Sequence, residues 1–205
     1  MKDFHLHSAF PLLVLQFHDV ISEYERLNIF NYLKQKPTQN HGAIRGKGSS
    51  SYNQSDNLLD ELNLTDTLNE YLSKYNEMCR ASCEVRITNA WFNVQDKESS
   101  LNLHCHPGSI LSGALYINID SDSSPICFEN PNTFAYFNHH PKTEGEDAGV
   151  SQFNLQYYYI KPKPADLIIF PSWLTHGSYY QSNQTPDRMV ISFNTIDNRK
   201  DKEYN

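Results

Sequence analysis

What most constrains this chain is the series of short β-prone segments that fills it from residue 85 onward. Residues 85–94, 111–119, 126–129, 153–160, 166–170 and 189–196 are each of strand length and rich in β-branched and aromatic side chains. Turn-rich pieces at 120–125, 162–165 and 181–187 separate them. Strands this short bury their apolar faces only by packing sheet on sheet or by closing on themselves. The segment pattern therefore predicts a mainly β fold, a sandwich or jelly roll with flanking helices.

The helices belong to the first third. Residues 11–15 read as an opening strand, and Ser22 with Glu25 forms a capping box ahead of Tyr24, Leu27, Phe30 and Leu33 at helical spacing. The polar stretch 38–54, with Gly42, Gly46 and Gly48, reads as a loop. Thr65 is placed to cap a second helix, whose stripe of Leu68, Tyr71, Leu72, Tyr75, Met78 and Cys79 reads as core. Cys79 and Cys83 would share a helix face, and burial explains that pair better than a metal. The polar segment 130–152, which carries His139 and His140, is longer than an ordinary connection and reads as a lid or binding loop.

A length of 205 residues fits one domain, with a helical part over about 1–84 and a β core over about 85–197. The formal charge of −7 gives no support to a nucleic-acid binder. Four cysteines without a CxxC pair point to reduced thiols, and neither a signal-peptide core nor a membrane-length apolar run is visible. Together these predict a cytoplasmic protein with no membrane partner. Nothing in the sequence speaks to oligomeric state.

Three places could carry chemistry. His104 and His106 flank Cys105 ahead of Pro107-Gly108; on an extended chain residues two apart project to one side, so both imidazoles can meet at one ion. The same spacing also suits two histidines on a strand edge facing water. His176 follows the apolar end Phe170-Pro171 by a few residues, as a loop histidine or as a distant third ligand. Along 188–196, Arg188, Val190, Ser192 and Asn194 alternate against Met189, Ile191 and Phe193. An arginine and small polar groups on one face fit a pocket for an anion, because guanidinium presents a planar fork to a carboxylate.

This order of motifs resembles the Fe(II)- and 2-oxoglutarate-dependent oxygenase superfamily, and most closely its bacterial and phage group of 2OG-Fe(II) oxygenases. The resemblance lies in Ala90-Trp91-Phe92-Asn93-Val94, in 104–107, 112–117 and 128–131, and above all in FPSWLTH at 170–176 and RMVISFN at 188–194. It spans about 85–196. It implies a double-stranded β-helix, the cupin-like jelly roll, with His104, His106 and His176 as candidate iron ligands. It also implies that Arg188, assisted by Ser192, pairs with the far carboxylate of 2-oxoglutarate, and that Asn93, Tyr116 and Asn194 complete the co-substrate pocket. Fe(II), 2-oxoglutarate and O2 would be the cofactor and co-substrates, and decarboxylation to succinate would be coupled to oxidation of a small molecule or a peptide side chain, by hydroxylation.

The wider superfamily usually carries HxD or HxE at its first motif, whereas here His104 is followed by His106 and His106 by Gly108. Either three histidines bind the metal, or one of the pair binds and water replaces the carboxylate, as in the glycine-bearing aspartyl/asparaginyl hydroxylases. In that second case His106 is favoured, since Pro107-Gly108 and the SGALYI strand follow it. Three histidines also suit zinc, which keeps a non-redox metal- or ligand-binding jelly roll as the rival reading.

Overall fold

A computed structural model gives the architecture and describes residues 12–54, 58–81, 84–132 and 155–198. Eleven strands and three helices follow in the order β1 (Leu15–Phe17), α1 (Glu23–Leu33), β2 (Ile44–Arg45), β3 (Gly48–Ser50), α2 (Leu58–Glu61), α3 (Thr65–Cys79), β4 (Val85–Gln95), β5 (Ser100–Leu101), β6 (Leu111–Asn118), β7 (Ile126–Glu129), β8 (Tyr157–Ile160), β9 (Leu167–Pro171), β10 (His176–Gly177) and β11 (Arg188–Asp197) among the described residues. A six-stranded antiparallel sheet runs β1-β9-β6-β11-β4-β3, and a three-stranded one runs β10-β7-β8. β2 and β5 form a separate pair. The mainly β jelly roll is thus observed.

Strand alternation sorts the side chains into two cores. Leu115, Ile117, Leu167, Ile169, Met189, Ile191 and Phe193 point to one side of the large sheet, where they pack with Ile29, Leu33, Leu68, Leu72 and Tyr75 of the helices. Ala114, Tyr116, Ile168, Phe170 and Val190 point to the other, against Ile126 and Phe128 of the small sheet. The central strands are buried on both faces, which is why they read as continuous apolar runs.

The helices follow the sequence in outline and depart from it in register. Ser22 does build the capping box, donating its backbone N–H to Glu25 Oε2 at 2.8 Å while its hydroxyl accepts from Glu25 N at 3.2 Å. The buried face of α1, however, is Arg26, Ile29 and Leu33; Tyr24 and Leu27 are exposed. Arg26 earns its interior place by donating to Ile117 O at 2.6 Å and to both oxygens of Glu23. In α3, Leu68, Leu72 and Tyr75 are buried as expected, but Met78 and Cys79 are exposed in the last turn, which ends at Arg80 in a left-handed conformation. The buried reading of the cysteine pair therefore fails at Cys79, and Cys83 lies outside the described residues. Thr65 does not cap α3: the cap position is Leu64, and the Thr65 hydroxyl donates to Asp60 instead.

The stretch 38–54 contains β2 and β3 rather than loop alone. β3 adds to the edge of the large sheet with Gly48 opposite Gln95 and Ser50 opposite Asn93. Backbone pairing with an open edge makes such a strand, and apolar periodicity gives no sign of it. Most of the expected lid at 130–152, His139 and His140 included, lies outside the described residues.

Candidate active site

A cavity of about 200 Å³ opens on the face of the large sheet that looks toward the small one. Register builds its floor in rungs. Arg188 stands opposite Gln95, Val190 lies between Asn93 and Tyr116, and Ser192 lies between Trp91 and Ala114. All of these line the cavity. Asn194 occupies the next rung, between Asn89 and Ser112, and is not among the lining residues. Its amide oxygen accepts from Ser112 Oγ at 2.7 Å, and Ser112 pairs with Ser172 Oγ at 2.8 Å.

One end of the cavity gathers three imidazoles. The candidate ligand atoms of His104, His106 and His176 all lie within 4.8 Å of one another, and among the described residues no other such cluster forms. Backbone pairing sets their positions. His104 and His176 form an antiparallel bridge with both N–H···O bonds at 2.9 Å, and the His106 N–H donates to Ser172 O at 2.9 Å. Gly177 makes the approach possible, since a Cβ there would sit 2.7 Å from the carbonyl oxygens of Leu101 and Asn102.

Two of the rings have their tautomer fixed. A carbonyl oxygen can only accept, so His104 Nδ1–H donates to Asn102 O at 2.8 Å and His176 Nδ1–H donates to Leu174 O at 2.9 Å. That leaves each Nε2 lone pair for a metal. Burial drives the imidazoles toward the neutral form: His106 is pushed down to about 4 and His176, packed over Phe170 at 4.5 Å, to about 3. His104 is lowered for the same reason. Neutral imidazoles are the form that binds transition metals.

The other end holds Arg188, buried and without an acidic partner among the described residues. Its Nη1 donates to Gln95 Oε1 at 2.6 Å and its Nη2 to Ser124 O at 3.3 Å, while Nε has no partner. Burial lowers its pKa from the ordinary guanidinium value. The buried side-chain atoms left unpartnered among the described residues are Arg188 Nε, Gln95 Nε2 and Ser124 Oγ, all at this end. A buried cation with open donors beside it is costly unless an anion completes it. The donor set therefore fits a carboxylate here and a divalent ion at the imidazoles, so the cavity fits both Fe(II) and 2-oxoglutarate.

The sequence motifs do not point to Gln95, Ser124, His41 or Tyr52. Gln95 continues the alternation of Trp91 and Asn93 along β4 and was findable by it. Ser124 acts partly through its backbone, and His41 and Tyr52 come from the polar stretch, where no pattern marks them.

A metal-binding jelly roll with an anion pocket is the class these features define. The sequence matches a family model described as "Putative 2OG-Fe(II) oxygenase" over residues 89–194, just over half of the chain, and the chain belongs to that family. It is accordingly an Fe(II)- and 2-oxoglutarate-dependent dioxygenase, with O2 as the oxidant. No curated protein matches it. Among solved structures it is similar to HygX from Streptomyces hygroscopicus with nickel and 2-oxoglutarate bound, at 14% identity and TM-score 0.63 over 91% of this chain and 84% of that one. It is also similar to a Trichoplax adhaerens prolyl hydroxylase in complex with a hypoxia-inducible-factor peptide, at 13% identity and TM-score 0.61 over 94% and 87%. A Burkholderia pseudomallei 2OG-Fe(II) family oxidoreductase aligns at 11% identity and TM-score 0.58 over 89% and 83%. At such identities these likenesses speak for the fold.

Proposed function

We propose that His104, His106 and His176 together hold the Fe(II) of this oxygenase and that Arg188 grips the far carboxylate of 2-oxoglutarate. The observation that carries this reading is the pairing, in one cavity, of three converging neutral imidazoles with a buried arginine that lacks a counter-ion. Gln95 orients the guanidinium through its 2.6 Å bond, and Gln95 Nε2, which lines the cavity, is free to meet the same carboxylate. Ser192, Asn93 and Tyr116 line the span between the two ends. Asn194 acts one step back, by fixing the hydroxyl of Ser112.

When bound, Fe(II) supplies activation of O2 coupled to oxidative decarboxylation of 2-oxoglutarate. The chain's own part is to present three uncharged nitrogens and to neutralise a carboxylate away from water. The three-histidine arrangement is favoured over a single histidine of the 104/106 pair, because both rings reach the same point. A zinc-holding, non-redox module would leave Arg188 Nε and Gln95 Nε2 without purpose.

The substrate group is a small molecule or a peptide side chain, and the net charge of −7 speaks against nucleic acid. Among the described residues no helix is long and apolar enough to cross a membrane, and Cys79, Cys105 and Cys127 are free thiols, which supports a cytoplasmic setting. Residues 1–205 are taken as one oxygenase-like domain, since α1 and α3 share a core with the large sheet.

Anaerobic titration with Fe(II) and then 2-oxoglutarate tests the assignment. Chelation at iron should give a weak visible charge-transfer band in the wild type. Arg188→Ala should weaken 2-oxoglutarate about 100-fold, the scale for losing one partner of a buried charge pair. An unchanged 2-oxoglutarate affinity in that variant would remove Arg188 from the pocket.

A further inference from the structure

The cavity has a third wall that neither the imidazoles nor Arg188 account for. His41 and Tyr52 meet edge to face with ring centroids 5.3 Å apart, and Tyr52 meets Trp91 in the same way at 5.1 Å. Trp91 lies 5.8 Å from His106, so a chain of ring contacts runs from His41 to the metal end. All three rings line the cavity.

Charge narrows what this wall can take. Among the described residues that line the cavity there is no aspartate, glutamate or lysine, and Arg188 is the one permanently charged side chain. With Fe(II) and 2-oxoglutarate in place, the two carboxylates cancel two of the three positive charges contributed by the metal and Arg188. A net positive charge remains. A cationic substrate group would be desolvated beside it with no acid among the described lining residues to pair, a cost that contact with the ring faces only partly offsets. An anionic group would be drawn by that charge, but it would lie against the electron-rich faces of the rings with no second cationic side chain among the described lining residues to pair with it. A neutral group with a flat or ring-shaped apolar face suffers neither cost, and it gains stacking contacts at separations like those the wall already uses.

We infer that His41, Tyr52 and Trp91 form the primary-substrate subsite and that it accepts an uncharged group carrying a ring or flat apolar face, presented to the metal beside His106. This rests on the oxygenase reading, because it assumes that 2-oxoglutarate fills the Arg188 end.

The test uses the full chain loaded with Zn(II) and saturating 2-oxoglutarate, so that no turnover occurs, in a Trp173→Phe background. Trp173 is 55% exposed and is not among the cavity-lining residues, so the remaining indole, Trp91, reports from the wall. Three probes of one shape are titrated: benzyl alcohol, benzylammonium and benzoate. Benzyl alcohol should change the Trp91 emission saturably and bind at least tenfold more tightly than either ion. Tyr52→Ala should weaken it at least tenfold, Tyr52→Phe should restore it, and His41→Ala should weaken it without altering 2-oxoglutarate binding. Equal or tighter binding of benzylammonium or benzoate overturns the neutral-group inference. Unchanged benzyl alcohol affinity in both Tyr52→Ala and His41→Ala overturns the subsite. Calorimetry run alongside separates the two readings: no 2-oxoglutarate binding is a failure of the oxygenase assignment, whereas 2-oxoglutarate binding without a probe response is a failure of the wall alone.

Discussion

Desolvation sets the state of the imidazoles before any metal arrives. His176 is 5% exposed and lies against Phe170, so protonating it would strand a cation in an apolar setting. His106, with Trp91 at 5.8 Å and His104 at 5.0 Å, is held down by burial first and by its neighbour second. The unfolded chain takes up these protons near the ordinary value of 6.5, the folded chain only near 4 for His106 and 3 for His176. Below pH 6.5 the unfolded state thus binds more protons than the folded one, and stability falls as pH falls toward 4. The metal-free protein should lose melting temperature between pH 7 and pH 5, before most carboxylates titrate. His106→Gln should flatten that loss. Parallel pH profiles for the variant and the wild type, measured by scanning calorimetry in chelator, would speak against a neutral buried His106.

Among the elements, β11 carries the most. Its two faces serve separate ends: Met189, Ile191 and Phe193 fill the helix-side core, and Arg188, Val190 and Ser192 pave the cavity. Any shift of this strand moves the proposed anion site with the core. Gly113 on β6 shows how tightly that is held, since a Cβ there would sit 2.1 Å from Phe193 Cζ and 2.4 Å from Cε1. Phe193 is fully buried and has nowhere easy to go. Gly113→Ala should cost about 1–3 kcal/mol, the range for overpacking a filled core. Urea denaturation measures it, and a cost below about 0.5 kcal/mol would mean that Phe193 finds another rotamer.

Across the whole molecule, the candidate metal centre joins parts that are distant in sequence. His104 and His106 precede β6, His176 lies in β10 of the small sheet, and the bridge between His104 and His176 is the backbone joint. An ion on all three would tie that joint from the side-chain side as well. Free metal at 100 times its dissociation constant adds about 2.7 kcal/mol to the folded state. For a chain of this size that is a rise of about 5–10 °C in melting temperature. Chelator should reverse it, and a variant with His104→Ala and His176→Ala should show none of it. The same rise in that double variant would place the stabilising ion elsewhere.

The sequence by itself determined the mainly β class, as a sandwich or jelly roll, and the central strands, which stand out as short apolar runs between turns; it likewise determined the alternation that sets Arg188 and Ser192 on one face, because period two is a property of a single strand. It also determined the capping box at Ser22, a contact three residues long. The buried face of α1 was not readable, since an interior Arg26 is possible only because a strand carbonyl waits for it at Ile117. The edge strand β3 and the two-residue β10 were equally hidden, as their reason for existing is a neighbour's unpaired backbone. The histidine motif was visible, but whether one or both of its rings face His176 depended on the backbone bridge and on Gly177, that is, on how closely two remote segments approach. The aromatic wall belongs wholly to the tertiary structure, because Tyr52, with His41 against it, meets Trp91 only once the polar stretch folds over the sheet.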